Sequence, residues 1–115
     1  GILSILKDDP SAYGAIIRDE DGHFERIHEK PPADMYPPPV PCNIGSYKFT
    51  SAVFDYELEL SPRGEYEVTD YVTCAAQDHT VSVVESPFWL PIGTPSNLEE
   101  AQSIDVNQWI PELDL

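Results

Sequence analysis

The chain has 115 residues, 41% of them apolar, and carries 21 Asp and Glu against 6 Lys and Arg, a formal charge of −15. That length suits one small domain with a single hydrophobic core. So large an acidic excess repels phosphate backbones and anionic lipid, which excludes nucleic-acid and membrane-surface binding. No apolar run approaches the roughly 20 residues of a spanning helix. Residues 1–6 are too short and lack the basic flank of a secretion signal, so a cytoplasmic protein is expected. Cys42 and Cys74 have no metal-ligand spacing and read as free thiols acting as small apolar residues.

In chain order, the apolar run 2–6 ends at Asp8-Asp9-Pro10 and reads as a buried strand. Residues 12–19 and 23–29 flank Glu20-Asp21-Gly22, and Asp-Gly between two such runs is a hairpin signal, because Gly accepts the positive φ of a tight turn. Pro31-Pro32 and the prolines of 37–41 mark an extended loop. Residues 43–50 alternate well enough for a strand with Gly45, Tyr47 and Phe49 on one face, and 51–60 fit a short helix carrying Val53, Phe54 and Leu58.

Ser61-Pro62-Arg63-Gly64 is a turn, and Thr69 is the expected N-cap of a helix over 70–77. The β-branched run 80–84 reads as a core strand. Thr94 before Pro95 predicts a helix opening, with Leu98 and Ala101 as its buried face. The tail 103–115 holds Trp109 and Ile110 without a regular pattern. The expected class is mixed α/β, with a β-hairpin and about three short helices in one domain over 1–115.

Four stretches in this order carry a family resemblance: Tyr13-Gly14; Glu29-Lys30-Pro31; Asn43-Ile44-Gly45 with Tyr47 and Phe49; and Arg63 to Asp70 paired with Trp89-Leu90-Pro91-Ile92-Gly93-Thr94-Pro95. Over residues 2–102 the chain resembles the C-terminal, sugar-phosphate-binding half of the sugar-1-phosphate nucleotidylyltransferases, which implies a partial nucleotidyltransferase-like mixed sheet. The resemblance also implies roles. Gly14 would let the backbone approach a sugar ring, and Glu29 would accept hydrogen bonds from its hydroxyls. Lys30 would pair with the sugar phosphate, and Asn43 would offer a donor and an acceptor to a hydroxyl.

Each residue also has a plainer reading. Gly14 eases strand packing, Asn43 caps a loop, and Glu29 and Lys30, as strand neighbours, point to opposite faces.

Two departures from the family pattern argue against catalysis by these residues alone. The Gly-rich phosphate loop of the family's nucleotide-binding half has no counterpart among the 6 scattered glycines. Where many members carry an acid after Trp-x to hold magnesium, this chain has Pro91, so no metal ligand and no catalytic residue is expected here. Magnesium is expected only once a separate nucleotide-binding chain completes the site. The expected function is a sugar 1-phosphate acceptor part that needs such a partner. The alternative is a non-catalytic assembly module that keeps the fold and self-associates as a homo-oligomer. His23, His28 and His79 follow no metal-ligand spacing.

Overall fold

A computed structural model describes residues 1–109. Five strands form one mixed sheet in the order β3-β2-β4-β1-β5. They are β1 (Ile2–Lys7), β2 (Gly14–Arg18), β3 (Phe24–Glu29), β4 (Val40–Tyr47) and β5 (Val83–Glu85). β1 runs parallel to β5 and antiparallel to β4, and the β2–β3 hairpin joins the sheet by pairing β2 with β4. Among the described residues three short helices accompany the sheet, α1 (Val68–Asp78) before β5 and α2 (Pro95–Gln102) and α3 (Val106–Trp109) after it, so the expected mixed α/β class holds. The last six residues, with Ile110 and the rest of the expected tail, lie outside the described residues.

Alternation along the strands sends side chains to two faces, and each face has its own cluster. On one face Ile2, Ile16 and Phe24 pack around Val72 of α1, with Ile27, Tyr47 and Val83 at the margin. Val72 is 2% exposed, and burial of a side chain of that size contributes roughly 1.5–3 kcal/mol. On the other face Ala15, Val40 and Cys42 pack under the proline-rich loop, which contributes Tyr36. The His28 ring pins that loop through a 2.7 Å contact between Nδ1 and the Tyr36 hydroxyl. Burial pushes the Cys42 thiol up, outweighing the nearby Lys7.

The hairpin turn lies where expected, with Gly22 at φ 83°. Asp19 Oδ1 accepts from the backbone N–H of Asp21 and of His23, which draws the three side chains together. Thr94 Oγ1 accepts from the Asn97 N–H at 3.2 Å and caps α2, as Thr94-Pro95 predicted.

Six local expectations are corrected. β4 starts at Val40 rather than 43, because Val40 and Cys42 point into the core on either side of Pro41. The alternation expected over Gly45, Tyr47 and Phe49 is broken by Gly45 at φ 76°, a bulge opposite β1. Only Ser51–Asp55 of the helix expected over 51–60 forms, as a 3-10 turn that buries Val53 and leaves Phe54 80% exposed. α1 is capped by Glu67, not Thr69, whose carbonyl instead accepts from the Thr73 hydroxyl inside the helix. The strand expected over 80–84 is a three-residue edge strand with Val84 exposed. α2 buries no residue: Leu98 is exposed and Ala101 half-buried, so its apolar positions face outward.

Candidate functional site

The hairpin and β4 set three of the four sequence-selected residues side by side. Gly14 pairs with Glu29 on β3 and with Asn43 on β4, so Glu29, Gly14 and Asn43 form one row across adjacent strands. Two residues along each strand returns to the same face, which places this row on the Ile16 and Ile27 side. Gly14 is already crowded there. A Cβ on it would meet Ile27 Cγ2 at 2.7 Å and Glu29 Oε2 at 2.9 Å, so the plainer reading, that glycine eases strand packing, holds geometrically.

The Asn43 amide is engaged within the chain. Its Nδ2 donates to the Tyr47 hydroxyl at 2.7 Å, and its Oδ1 accepts from the Gly45 N–H at 2.9 Å. This is an Asx turn, and it fixes the bulge and aims the amide. One N–H and one acceptor lone pair remain for a ligand. Burial pushes the Tyr47 phenol up; the Asn43 hydrogen bond opposes that shift and the Glu29 charge adds to it, so Tyr47 shares the electrostatic field of the row.

Lys30 does not continue the strand to the opposite face. Its backbone turns left-handed, at φ 47°, and its N–H donates to the Tyr13 carbonyl at 2.8 Å. The turn overturns the expectation that Glu29 and Lys30 point apart: both line one open hollow of about 430 Å³. That volume lies in the range of small-ligand sites. The opposite wall is the turn before α1 and its first residues, with Ser61, Arg63, Glu67, Thr69 and Asp70. Arg63 lies within the fourth sequence motif, which assigns it no role. The signal was available, since a guanidinium is one of only six basic groups in the chain.

Arg63 reaches Glu67 Oε1 through Nη2 at 2.7 Å and through Nε at 3.2 Å. That contact raises the guanidinium and holds the Glu67 carboxyl below its ordinary value. Lys30 and Glu29 form no ion pair among the described residues.

Trp89, from the fourth motif, packs edge-on against Tyr13 at 5.5 Å between ring centroids. Lys7 lies over both rings, 5.3 Å and 5.6 Å from the centroids of Tyr13 and Trp89. Tyr13 is therefore a hub, holding Lys30 by its carbonyl and the Trp89 segment by its ring.

Magnesium finds no fit at the family position, because Pro91 offers no side-chain oxygen. Among the described residues, the three ligand atoms that do lie within 4.8 Å of one another belong to Asp19, Asp21 and His23, exposed at the opposite end of the hairpin from Glu29. A second hollow, of about 200 Å³ beside Phe49, Val72 and His79, contains no carboxylate and is a weaker candidate.

The family whose model matches residues 2–108 is described as Nucleotidyl transferase. A bifunctional sugar-1-phosphate nucleotidylyltransferase/acetyltransferase of Sulfurisphaera tokodaii is 37% identical over 94% of this chain and 26% of its own length. The low-salt glycan biosynthesis nucleotidyltransferase of Haloferax volcanii is 34% identical over 90% of the chain and 29% of its own length. A glucose-1-phosphate thymidylyltransferase of Xanthomonas campestris is 35% identical, covering 82% and 32%. The chain thus spans about a quarter to a third of the length of these relatives. It matches their N-terminal region, which does not support reading residues 2–102 as a C-terminal half of such proteins. With its mixed sheet and a family match across nearly all described residues, the chain belongs to the nucleotidyl transferase family.

Proposed function

We propose that residues 2–102 form the sugar-phosphate-binding part of a nucleotidyl transferase domain, with Gly14, Glu29, Lys30 and Asn43 as its acceptor residues. The observation that carries this reading is the row Glu29–Gly14–Asn43, with Lys30 turned into the same hollow as Glu29 and Arg63. A phosphorylated sugar needs both kinds of group that meet there. Glu29 is a carboxylate acceptor for ring hydroxyls, and Asn43, two strands over in the same row and outside the lining of the hollow, adds a donor and an acceptor at the far end of the row. Lys30 and Arg63 supply positive charge for the phosphate, Arg63 as a planar fork that matches an oxyanion. Thr69 and Asp70 of the first turn of α1 also line the hollow, the Asp70 N–H donating to the Glu67 carbonyl at 3.0 Å.

The names of two relatives, a sugar-1-phosphate nucleotidylyltransferase and a glucose-1-phosphate thymidylyltransferase, favour the same ligand class. Transfer to a nucleotide also requires groups that neutralise charge developing on the nucleotide phosphates. In this proposal those groups, and any magnesium, come from polypeptide other than these residues.

Calorimetric titration with a panel of sugar 1-phosphates tests the proposal. Binding that a Glu29→Ala/Lys30→Ala double variant abolishes is the expected result. Silence across the panel with folded protein would refute it.

A second reading, self-association, is favoured by one observation. Among the described residues β4 pairs with β2 only through Cys42 and Asn43, so beyond Asn43 the strand is flanked on one side only. An open strand edge is a template for another strand, and two copies pairing there would cover it. Light scattering at micromolar concentration decides: a dimer or larger supports this reading, and a strict monomer contradicts it.

A further inference from the structure

We propose that Glu67 is an internal competitor for the acceptor phosphate, occupying Arg63 until the ligand displaces it; this rests on the acceptor-site reading above. Two groups on Arg63, Nε and Nη2, converge on one oxygen of Glu67, at 3.2 Å and 2.7 Å. Those are the two parallel donors that a guanidinium uses for bidentate recognition of an oxyanion. The same Glu67 oxygen accepts from the Ser61 hydroxyl at 3.1 Å, and Nη2 lies 3.3 Å from Glu65.

The turn around this contact is tightly built. Gly64, at φ 76°, donates its N–H to the Ser61 carbonyl, and Ser61 donates its N–H to the Glu65 carbonyl. Arg63 and Glu67 are thereby held in register, one on the turn and the other immediately before α1.

The charges lining the hollow sharpen the point. Glu29, Glu67 and Asp70 face Lys30 and Arg63, leaving one net negative charge where a phosphate is to bind. Lys30 has no ion-pair partner among the described residues, while the better phosphate ligand is already engaged. A phosphate that takes the Nε–Nη2 edge must leave Glu67 with Ser61 alone, so the free energy of the Arg63–Glu67 contact is subtracted from that of binding. Because Arg63 is 61% exposed, that contact is weak and the barrier to exchange is modest. Glu67 then acts as a filter: an anion must offer two well-placed oxygens to win the fork.

Titration of the wild type, Glu67→Gln, Arg63→Met and the Glu67→Gln/Arg63→Met pair with glucose 1-phosphate, and separately with inorganic phosphate, tests the competition. Gln keeps the length of the side chain and an acceptor for Ser61, and α1 does not depend on a side-chain cap at Glu67; Glu67→Asp, whose carboxylate is one methylene shorter and so meets Arg63 less closely, is the second variant. The expected result is roughly 2- to 5-fold tighter binding for Glu67→Gln. Binding should be weaker for Arg63→Met, and in the Arg63→Met background Glu67→Gln should bring no gain. A gain that persists without Arg63 would overturn the proposal, since the effect would then be bulk charge. Unchanged or weaker binding by both Glu67 variants would also overturn it while leaving the acceptor site standing. Absence of binding by all of the proteins would sink the acceptor reading itself, and this proposal with it.

Discussion

Glu29 lies across from Gly14 on the neighbouring strand, and its carboxylate occupies the space that a side chain on residue 14 would need. Oε2 is 2.9 Å from the position of a Cβ there, and Ile27 Cγ2 is 2.7 Å from it. The carboxylate can swing aside, but the β-branched Ile27 is stiff at its first torsion and must shift bodily. Gly14→Ala is therefore expected to cost about 1–3 kcal/mol of stability by overpacking. It should also lower sugar 1-phosphate affinity by displacing Glu29. Urea unfolding and calorimetry on the same variant check the two effects separately.

Lys30 sits in a left-handed conformation that costs a non-glycine residue about 1 kcal/mol. Lys30→Gly relieves that strain while removing the unpaired ammonium from the hollow. The expected outcome is a protein at least as stable as the wild type that binds sugar 1-phosphate more weakly. Opposite signs in a thermal melt and a binding titration would identify Lys30 as retained for function at the expense of the turn.

Asn43 links Tyr47 and the Gly45 bulge through two hydrogen bonds. Asn43→Ala removes both and leaves the half-buried Tyr47 hydroxyl without its donor, at a cost of roughly 1–2 kcal/mol. Tyr47→Phe removes only one of them and should cost less. A comparison of the two variants by denaturant unfolding apportions the loss.

The Arg63 hydrogen bonds hold the Glu67 carboxyl below its ordinary value in the folded chain, with burial opposing them. Because the folded-state value is depressed, the stabilisation is complete above the unfolded-state value and is lost as pH falls through the folded one. The loss should begin as pH falls through the ordinary glutamate range and be complete only below the depressed folded-state value. Melting temperatures of the wild type and Glu67→Gln should therefore differ at neutral pH and converge in acid, once Glu67 is protonated in the folded chain. A gap that stays constant with pH would show that Glu67 does not titrate against Arg63.

The elements legible in the sequence are those fixed by local chemistry. Asp21-Gly22 specifies a turn, and Thr94-Pro95 specifies a helix start whether or not the helix packs. What the sequence hid depends on tertiary context. Pro41 disguised the start of β4, although a strand tolerates proline where no ladder donor is needed. The β-branched run at 80–84 has the propensity of a core strand, but only Val83–Glu85 pairs with β1, at the sheet's edge. The row Glu29–Gly14–Asn43 was accessible because each residue sits in a motif whose order the family resemblance supplied. The meeting of Lys30 with Arg63 was not, because it depends on one left-handed residue and on a turn 33 positions downstream. The Arg63–Glu67 contact was masked by the many acids that could equally have paired with Arg63.

The acceptor site is tested most directly by an amide-resolved NMR titration of the chain with glucose 1-phosphate. The amides of Gly14, Glu29, Lys30 and Arg63 should shift together along one saturation curve, since they belong to the row and to the two walls of the hollow. No shift at millimolar ligand, or shifts confined to the other hollow around Phe49 and His79, would contradict the assignment of an acceptor site to these residues.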